Sequence, residues 1–231
     1  MARTRGLWLL VTVAAGCGET ALERGARSFR EPAFSGSPAN VFSCATCHSV
    51  ERAGDPGRQL PGYTLHGAAA RPSWWGGKIG TLREAVSECL VEFMRGRELA
   101  AEDADGRALY VYLRSLAPDG GSPALPLTIV ANIADLPAGD GGRGARVYGR
   151  ACAGCHGDAH TGRGRLGPRI SIVPEDTLAT FGRDPMTGAR LVTIEKVRHG
   201  KFFNVGGVMP PFAAETISDG EVSDLLAYLG L

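Results

Sequence analysis

The sequence predicts an all-α protein built as two small domains in tandem. Three observations carry that reading. Apolar residues recur at helical spacing in two stretches, one ending near residue 116 and one at the C-terminus. A Cys-x-x-Cys-His motif stands ahead of each stretch. A Pro- and Gly-rich segment divides the halves. At 231 residues the chain has length for two such units.

In "EDADGRALYVYLRSLAP", Leu109, Tyr112, Leu113 and Leu116 fall at i, i+3, i+4, i+7, and Pro118 stops the helix. In "SDGEVSDLLAYLGL", Val222, Leu225, Leu226 and Leu229 repeat the spacing, and Ser218 with Glu221 forms a capping box. Residues 117–142 hold the Pro- and Gly-rich segment. The expected organisation is a leader over 1–16, a first domain over 27–117, a linker over 118–138 and a second domain over 139–231. The formal net charge is +1, so no field points to nucleic acid. Glycine is abundant at 33 residues, with 14 prolines, and aromatics are few, so something besides large side chains must fill part of the core.

The motifs are "CATCH" (Cys44, Cys47, His48) and "CAGCH" (Cys152, Cys155, His156). This spacing attaches c-type haem. Two thiols one helical turn apart add to the porphyrin vinyl groups, and the adjacent histidine becomes the proximal iron ligand. A structural zinc would need further Cys or His ligands in close pairs, and the sequence offers none. A dithiol oxidoreductase would place the motif after a strand, and neither copy follows one. The expected cofactors are two covalently bound haems, held by Cys44, Cys47, Cys152 and Cys155.

The N-terminus "MARTRGLWLLVTVAAGCGET" pairs Arg3 and Arg5 with an apolar run over residues 6–15. Ten residues are too few to span a bilayer, which takes ~20 in a helix, so the segment reads as an export signal. Its end, Ala14-Ala15-Gly16-Cys17, resembles the lipobox of bacterial lipoproteins. That resemblance implies an acylated Cys17 as mature N-terminus, a membrane surface as partner and a periplasmic location.

Together these features resemble two class I cytochrome c domains in tandem. The family implies crossed N- and C-terminal helices around a buried haem. "GGRGARVYGRACAGCH" is similar to its N-terminal helix, with Gly144 and Tyr148 placed to meet the last helix. "GGVMPPF" is similar to its ligand loop, which implies Met209 as second axial ligand of the second haem; Met186 is the other methionine there. "LGPRI" (166–170) resembles the segment whose proline carbonyl orients the proximal imidazole. His160 and His199 are expected to face solvent.

The first half has no Met-Pro loop. Cys89, Met94 and His66 are its candidates for the sixth position. Thr81 and Glu84 form a capping box ahead of the stripe Leu82, Ala85, Val86, Cys89, Leu90, Phe93. Cys89 lies within that stripe, where it also suits a small buried apolar residue; Met94 falls to its side. The stretch from "CATCH" to "CLVEFMRGREL" resembles the first domain of dihaem thiosulfate dehydrogenases and related sulfur-oxidising cytochromes, which implies Cys89 as axial ligand. "EPAFSGSPANVFSCATCH" is more distantly similar to bacterial dihaem cytochrome c peroxidases, although no calcium site or catalytic acid can be placed.

Three functions follow. The first is an electron carrier between redox proteins, with the His/Met haem at the higher potential. The second is an oxidoreductase acting on thiosulfate or a related sulfur anion at the first haem, drawing on Arg71, Lys78, Arg83, Arg95 and Arg97. Clustering of those cations favours the enzyme; scattering favours the carrier. The third is a cytochrome module docked on a larger oxidoreductase.

Overall fold

The computed structural model describes residues 18–100, 102–130, 136–184, 187–201 and 207–231. The expected leader, Cys17 and Met186 lie outside the described residues. Within them the secondary structure is helical, and the one β-bridge is an isolated antiparallel contact between Trp74 and Ile79. No described helix is long and apolar enough to cross a membrane.

The first half contains α1 (Ala21–Arg30), α2 (Cys44–Cys47), α3 (Leu82–Glu92) and α4 (Ala104–Ser115). The second contains α5 (Gly141–Ala151), α6 (Ala153–His156), α7 (Glu175–Phe181), α8 (Ala189–His199) and α9 (Asp219–Leu229). Single 3-10 turns at Pro32–Ser35, Ala68–Ala70 and Trp75–Gly77 bend the intervening loops.

Helix ends follow side-chain chemistry. Thr20 and Glu23 form a reciprocal capping box on α1, and Ser218 and Glu221 form one on α9. Asp103 caps α4 and Asp140 caps α5, each accepting a backbone N–H at 2.7 Å. On α3, the Thr81 hydroxyl accepts from the Glu84 amide, while the Glu84 carboxylate turns back to that hydroxyl.

Each half is organised by one helix crossing made possible by a glycine. In the second half a Cβ on Gly144 would stand 1.9 Å from the Asp224 carbonyl oxygen of α9. One turn on, the Tyr148 ring meets Tyr228 at 5.5 Å. The first half repeats the device on α1: a Cβ on Gly25 would stand 2.0 Å from the Ala108 carbonyl oxygen, and Phe29 meets Tyr112 at 5.8 Å. The helix that partners α4 starts at Ala21, ahead of residue 27, where the first domain was expected to begin.

The α5–α9 crossing is pinned electrostatically as well. Arg143 grips Asp224 in a two-pronged contact at 2.6 and 2.8 Å, and the Asp140 amide donates to the same carboxylate at 2.7 Å. The Arg143 hydrogen bond holds the Asp224 carboxyl below its ordinary range. Gly144→Ala is expected to force α5 off α9 and to cost about 3 kcal/mol, as overpacked contacts do. Denaturant unfolding against the parent chain measures it.

Cores form on either side of the crossings. In the first half Phe29, Leu109, Tyr112 and Leu113 pack with Leu82 and Val86 of α3. In the second, Val147, Tyr148, Ile194, Val197, Phe212, Ile217, Val222 and three leucines of α9 gather. A third cluster bridges the halves: Phe42, Leu90, Met94 and Leu99 meet Cys155, Ile170 and Val208.

Polar contacts tie the halves together beside it. The Gln59 amide donates to the Arg150 carbonyl at 3.0 Å, and its side chain joins Arg150 to Thr216. Lys201 pairs with Glu92 at 2.7 Å. The connecting segment is not free: the Thr128 hydroxyl donates to Glu215 at 2.6 Å, and Ser122 N–H donates to the Ala70 carbonyl.

Candidate haem sites

Both Cys-x-x-Cys-His motifs fold as a single helical turn that brings their thiols to one side. Cys44 and Cys47 bracket α2; Cys152 caps the turn that ends in Cys155 and His156. All four are free thiols, each partly buried. Burial pushes the thiols of Cys44 and Cys152 up to about 12, and raises those of Cys47 and Cys155 as well. They are neutral, apolar-facing thiols rather than reactive thiolates.

The two histidines share one arrangement. The Nδ1 atom of His48 bonds the Tyr63 carbonyl oxygen at 2.7 Å, and that of His156 bonds the Ser171 carbonyl oxygen at 2.9 Å. Each carbonyl lies 15 residues beyond its histidine. A carbonyl only accepts, so Nδ1 carries the proton and Nε2 keeps its lone pair. Burial pulls both rings below the ordinary histidine range, which favours that neutral form.

Close packing fixes the first ring: a Cβ on Gly62 would lie 2.1 Å from its Cε1. In the second half the orienting carbonyl belongs to Ser171, three residues beyond the proline of "LGPRI". The turn at Gly167, whose carbonyl accepts from Ile170 N–H, carries the chain past Pro168 before it reaches the ring.

The candidate sixth ligands separate clearly. Cys89 is half-buried on α3, and its thiol lies near those of Cys44 and Cys47. Burial pushes it up to about 12. Met94 sits one residue past the helix cap at Phe93 and is buried at 4% exposure with Phe42, Leu90 and Leu99, in the cluster that includes Cys155 of the other half. Cys89 therefore stands beside the motif thiols of its own half. The His66 ring faces elsewhere, because its Nε2 accepts from Arg52 at 3.3 Å.

Met209 is partly buried against the second core, which Cys152 also touches. Its loop is held by the end of α8: Lys201 N–H donates to the Met209 carbonyl at 2.9 Å, and Phe212 N–H donates to the Val197 carbonyl at 2.7 Å. Gly200, at φ 55°, leaves room for that carbonyl, since a Cβ would stand 2.3 Å from it.

Arg198 was not anticipated as a support of this loop. It is 1% exposed, donates to the Ile217 carbonyl at 2.7 Å and pairs with Asp219. The sequence carries no local signal for it, because its partners Ile217 and Asp219 stand some twenty residues on.

His199 differs from the solvent-facing expectation. It is 3% exposed, with its ring between Glu195 at 2.5 Å and the Val130 carbonyl of the connecting segment. That segment lies over the ring, which the local sequence does not announce. His160 is exposed and pairs with Glu175 at 2.8 Å.

The five cations considered for an anionic substrate do not act together. Arg71 turns inward to the Thr64 and His66 carbonyls, at 2.7 and 3.3 Å, and lies near enough to His48 to lower its basicity. Arg83 donates to the Leu99 carbonyl at 3.2 Å, and Arg97 pairs with Asp103 at 3.6 Å. Lys78 and Arg95 are exposed.

Two buried thiols and a neutral histidine with a free Nε2 form the donor set that covalent haem requires, and both motifs present it. Among the described residues, no group of three or more His, Cys, Asp or Glu side chains is gathered to hold a bare metal ion.

Fold and site together define a cytochrome c arrangement of helices. Residues 139–229 match the family model of cytochrome c oxidase, cbb3-type, subunit III. A cytochrome c domain carries covalently bound c-type haem and works in electron transfer with redox partners.

Among solved structures, the chain is similar over 90% of its length to thiosulfate dehydrogenase (TsdBA) from Marichromatium purpuratum in its "as isolated" form. The identity is 22% and the TM-score 0.45, too loose an overlay to carry an argument. This chain covers 45% of that one. No curated protein matches the chain.

Proposed function

We propose that the chain is a dihaem c-type cytochrome of the bacterial periplasm that passes electrons between partner redox proteins. When bound, haem supplies an iron that takes up and releases one electron. Cys44, Cys47, Cys152 and Cys155 attach the two groups, and His48 and His156 bind the irons through Nε2. Met209 serves the second iron and Cys89 the first. A lipid on Cys17 would hold the domains at a membrane surface.

One observation carries the reading. The two motifs share a local frame, with a glycine-mediated helix crossing at their back and a histidine Nδ1 bonded to the carbonyl 15 residues on. An anionic thiolate on one iron and a thioether on the other set their potentials apart, so electrons entering at the first half run downhill to the second. The apolar cluster of Phe42, Leu90, Met94 and Leu99, against which Cys155 and Ile170 of the other half pack, supports direct passage between halves.

A second reading is an oxidoreductase acting on thiosulfate or a related sulfur anion at the first site. It is favoured by the place of Cys89 beside Cys44 and Cys47. The divergent partners of Arg71, Arg83 and Arg97 favour the carrier.

The test is haem stoichiometry and an optical redox titration of the mature chain. Two covalent haems per chain and two one-electron waves are expected. One haem, or turnover of thiosulfate in place of simple electron exchange, would overturn the carrier.

A further inference from the structure

Helices α3 and α8 are both 11 residues long and occupy the same place in their halves, between the haem motif and the closing helix. Cys89 is the eighth residue of α3, and Lys196 is the eighth residue of α8. Each follows a glutamate, Glu88 and Glu195. Cys89 lies 41 residues beyond His48, and Lys196 lies 40 beyond His156. The second half thus places a lysine where the first places its candidate thiolate.

The amine is unusual in its own right. Lys196 Nζ is buried and has no hydrogen-bond partner among the described residues. Glu195, next to it in sequence, is engaged with His199, and Glu92 of α3 pairs with Lys201 instead. Nζ lies beside Gly207, 3.6 Å from where a Cβ would stand, and Gly207 is two residues ahead of Met209. An ammonium desolvated without a counter-charge is costly, and burial pulls the Lys196 amine below the ordinary lysine range. A neighbouring centre that becomes less positive on reduction would offset part of that cost.

We propose that Lys196 sets the reduction potential of the second centre, as a fixed positive charge at the position where the first half carries Cys89. The inference rests on the dihaem reading. A thiolate donates negative charge to its iron and favours the oxidised state. A cation held near the other centre disfavours its oxidised, more positive state, and in a low-dielectric site that effect reaches further than in water. Matched helices carrying opposite charges then widen the gap between the two centres and give electron flow its direction. Met209 remains the axial ligand, and Lys196 works through space.

The experiment is the redox titration of the haem-loaded chain and of its Lys196→Gln and Lys196→Arg variants. The near-infrared band of methionine-ligated ferric haem serves as a check on Met209. In Lys196→Gln the higher wave is expected to fall, shifting the equilibrium between centres about tenfold, or ~59 mV for one electron. The lower wave and the Met209 band should stay. In Lys196→Arg the higher wave should keep its place. Lys196→Met, unbranched and neutral, should repeat the glutamine result and replaces it if that variant folds poorly.

An unmoved higher wave in the neutral variants overturns the proposal. So does an arginine variant that shifts as far as glutamine, because packing and not charge would then be the cause. A methionine band absent from the parent and gained in Lys196→Gln also overturns it, since the amine would be a ligand. A chain with only one haem overturns the dihaem reading instead, and the Lys196 comparison is still read on the centre within residues 139–231.

Discussion

Replacing Cys152 and Cys155 together with alanine is expected to leave one covalent haem per chain where the parent holds two. The remaining group would be that of Cys44 and Cys47, whose helical turn and whose His48–Tyr63 contact lie in the other half. In the second half His156 would keep its hydrogen bond to Ser171, but a lone imidazole does not retain haem through unfolding and heating.

Stability of that half falls with the cofactor, because a bound group absent from the unfolded state adds its binding free energy to folding. Cys152 also packs on the Val147–Tyr148 core, so its removal loosens the α5–α9 crossing from within. Pyridine haemochrome content per chain and intact mass measure the result directly. Two haems retained by the double variant would mean that the second motif is not an attachment site.

The second large effect is expected from Cys89→Ala. The oxidised parent should show a thiolate-type low-spin signal in low-temperature electron paramagnetic resonance, and the variant should lose it. With the anionic ligand gone, the potential of the first centre should rise by on the order of 0.1 V or more, within the ~0.8 V that axial ligands span. Met94 is packed at 4% exposure among Phe42, Leu90 and Leu99, so the variant is expected to gain no methionine-ligation band at the first centre.

The consequence for function is direct. A vanished signal makes Cys89 an iron ligand, and thiosulfate becomes the first substrate to assay with parent and variant side by side. Matching spectra would make Cys89 core filling. The sulfur-anion reading would then lose its main support, while the electron carrier would stand.

The all-α class, the two haem motifs and the closing helices are legible in the sequence because each is a local matter. A motif of five residues and a helical stripe are written in neighbouring positions, and so is the Ser218–Glu221 cap. The first helix was hidden because its buried side is made of Gly25, Ser28 and Phe29, which leaves almost no apolar stripe. Its role depends on Gly25 lying under Ala108, some eighty residues away.

The same distinction runs through the sites. Spacing names four motif cysteines and two motif histidines, but it does not say which carbonyl meets an imidazole. Ser171, not Pro168, meets His156, because the turn at Gly167 sets the path of the chain. The different surroundings of Cys89, on α3, and Met94, one residue past its cap and buried in the cluster between the halves, likewise needed the folded chain. The burial of His199 and the paths of Arg71 and Arg198 needed segments remote in sequence to be packed against them. Ligand types and their order are encoded locally by short-range chemistry; which of them share one cavity is decided by long-range packing, since only the folded chain brings those side chains together.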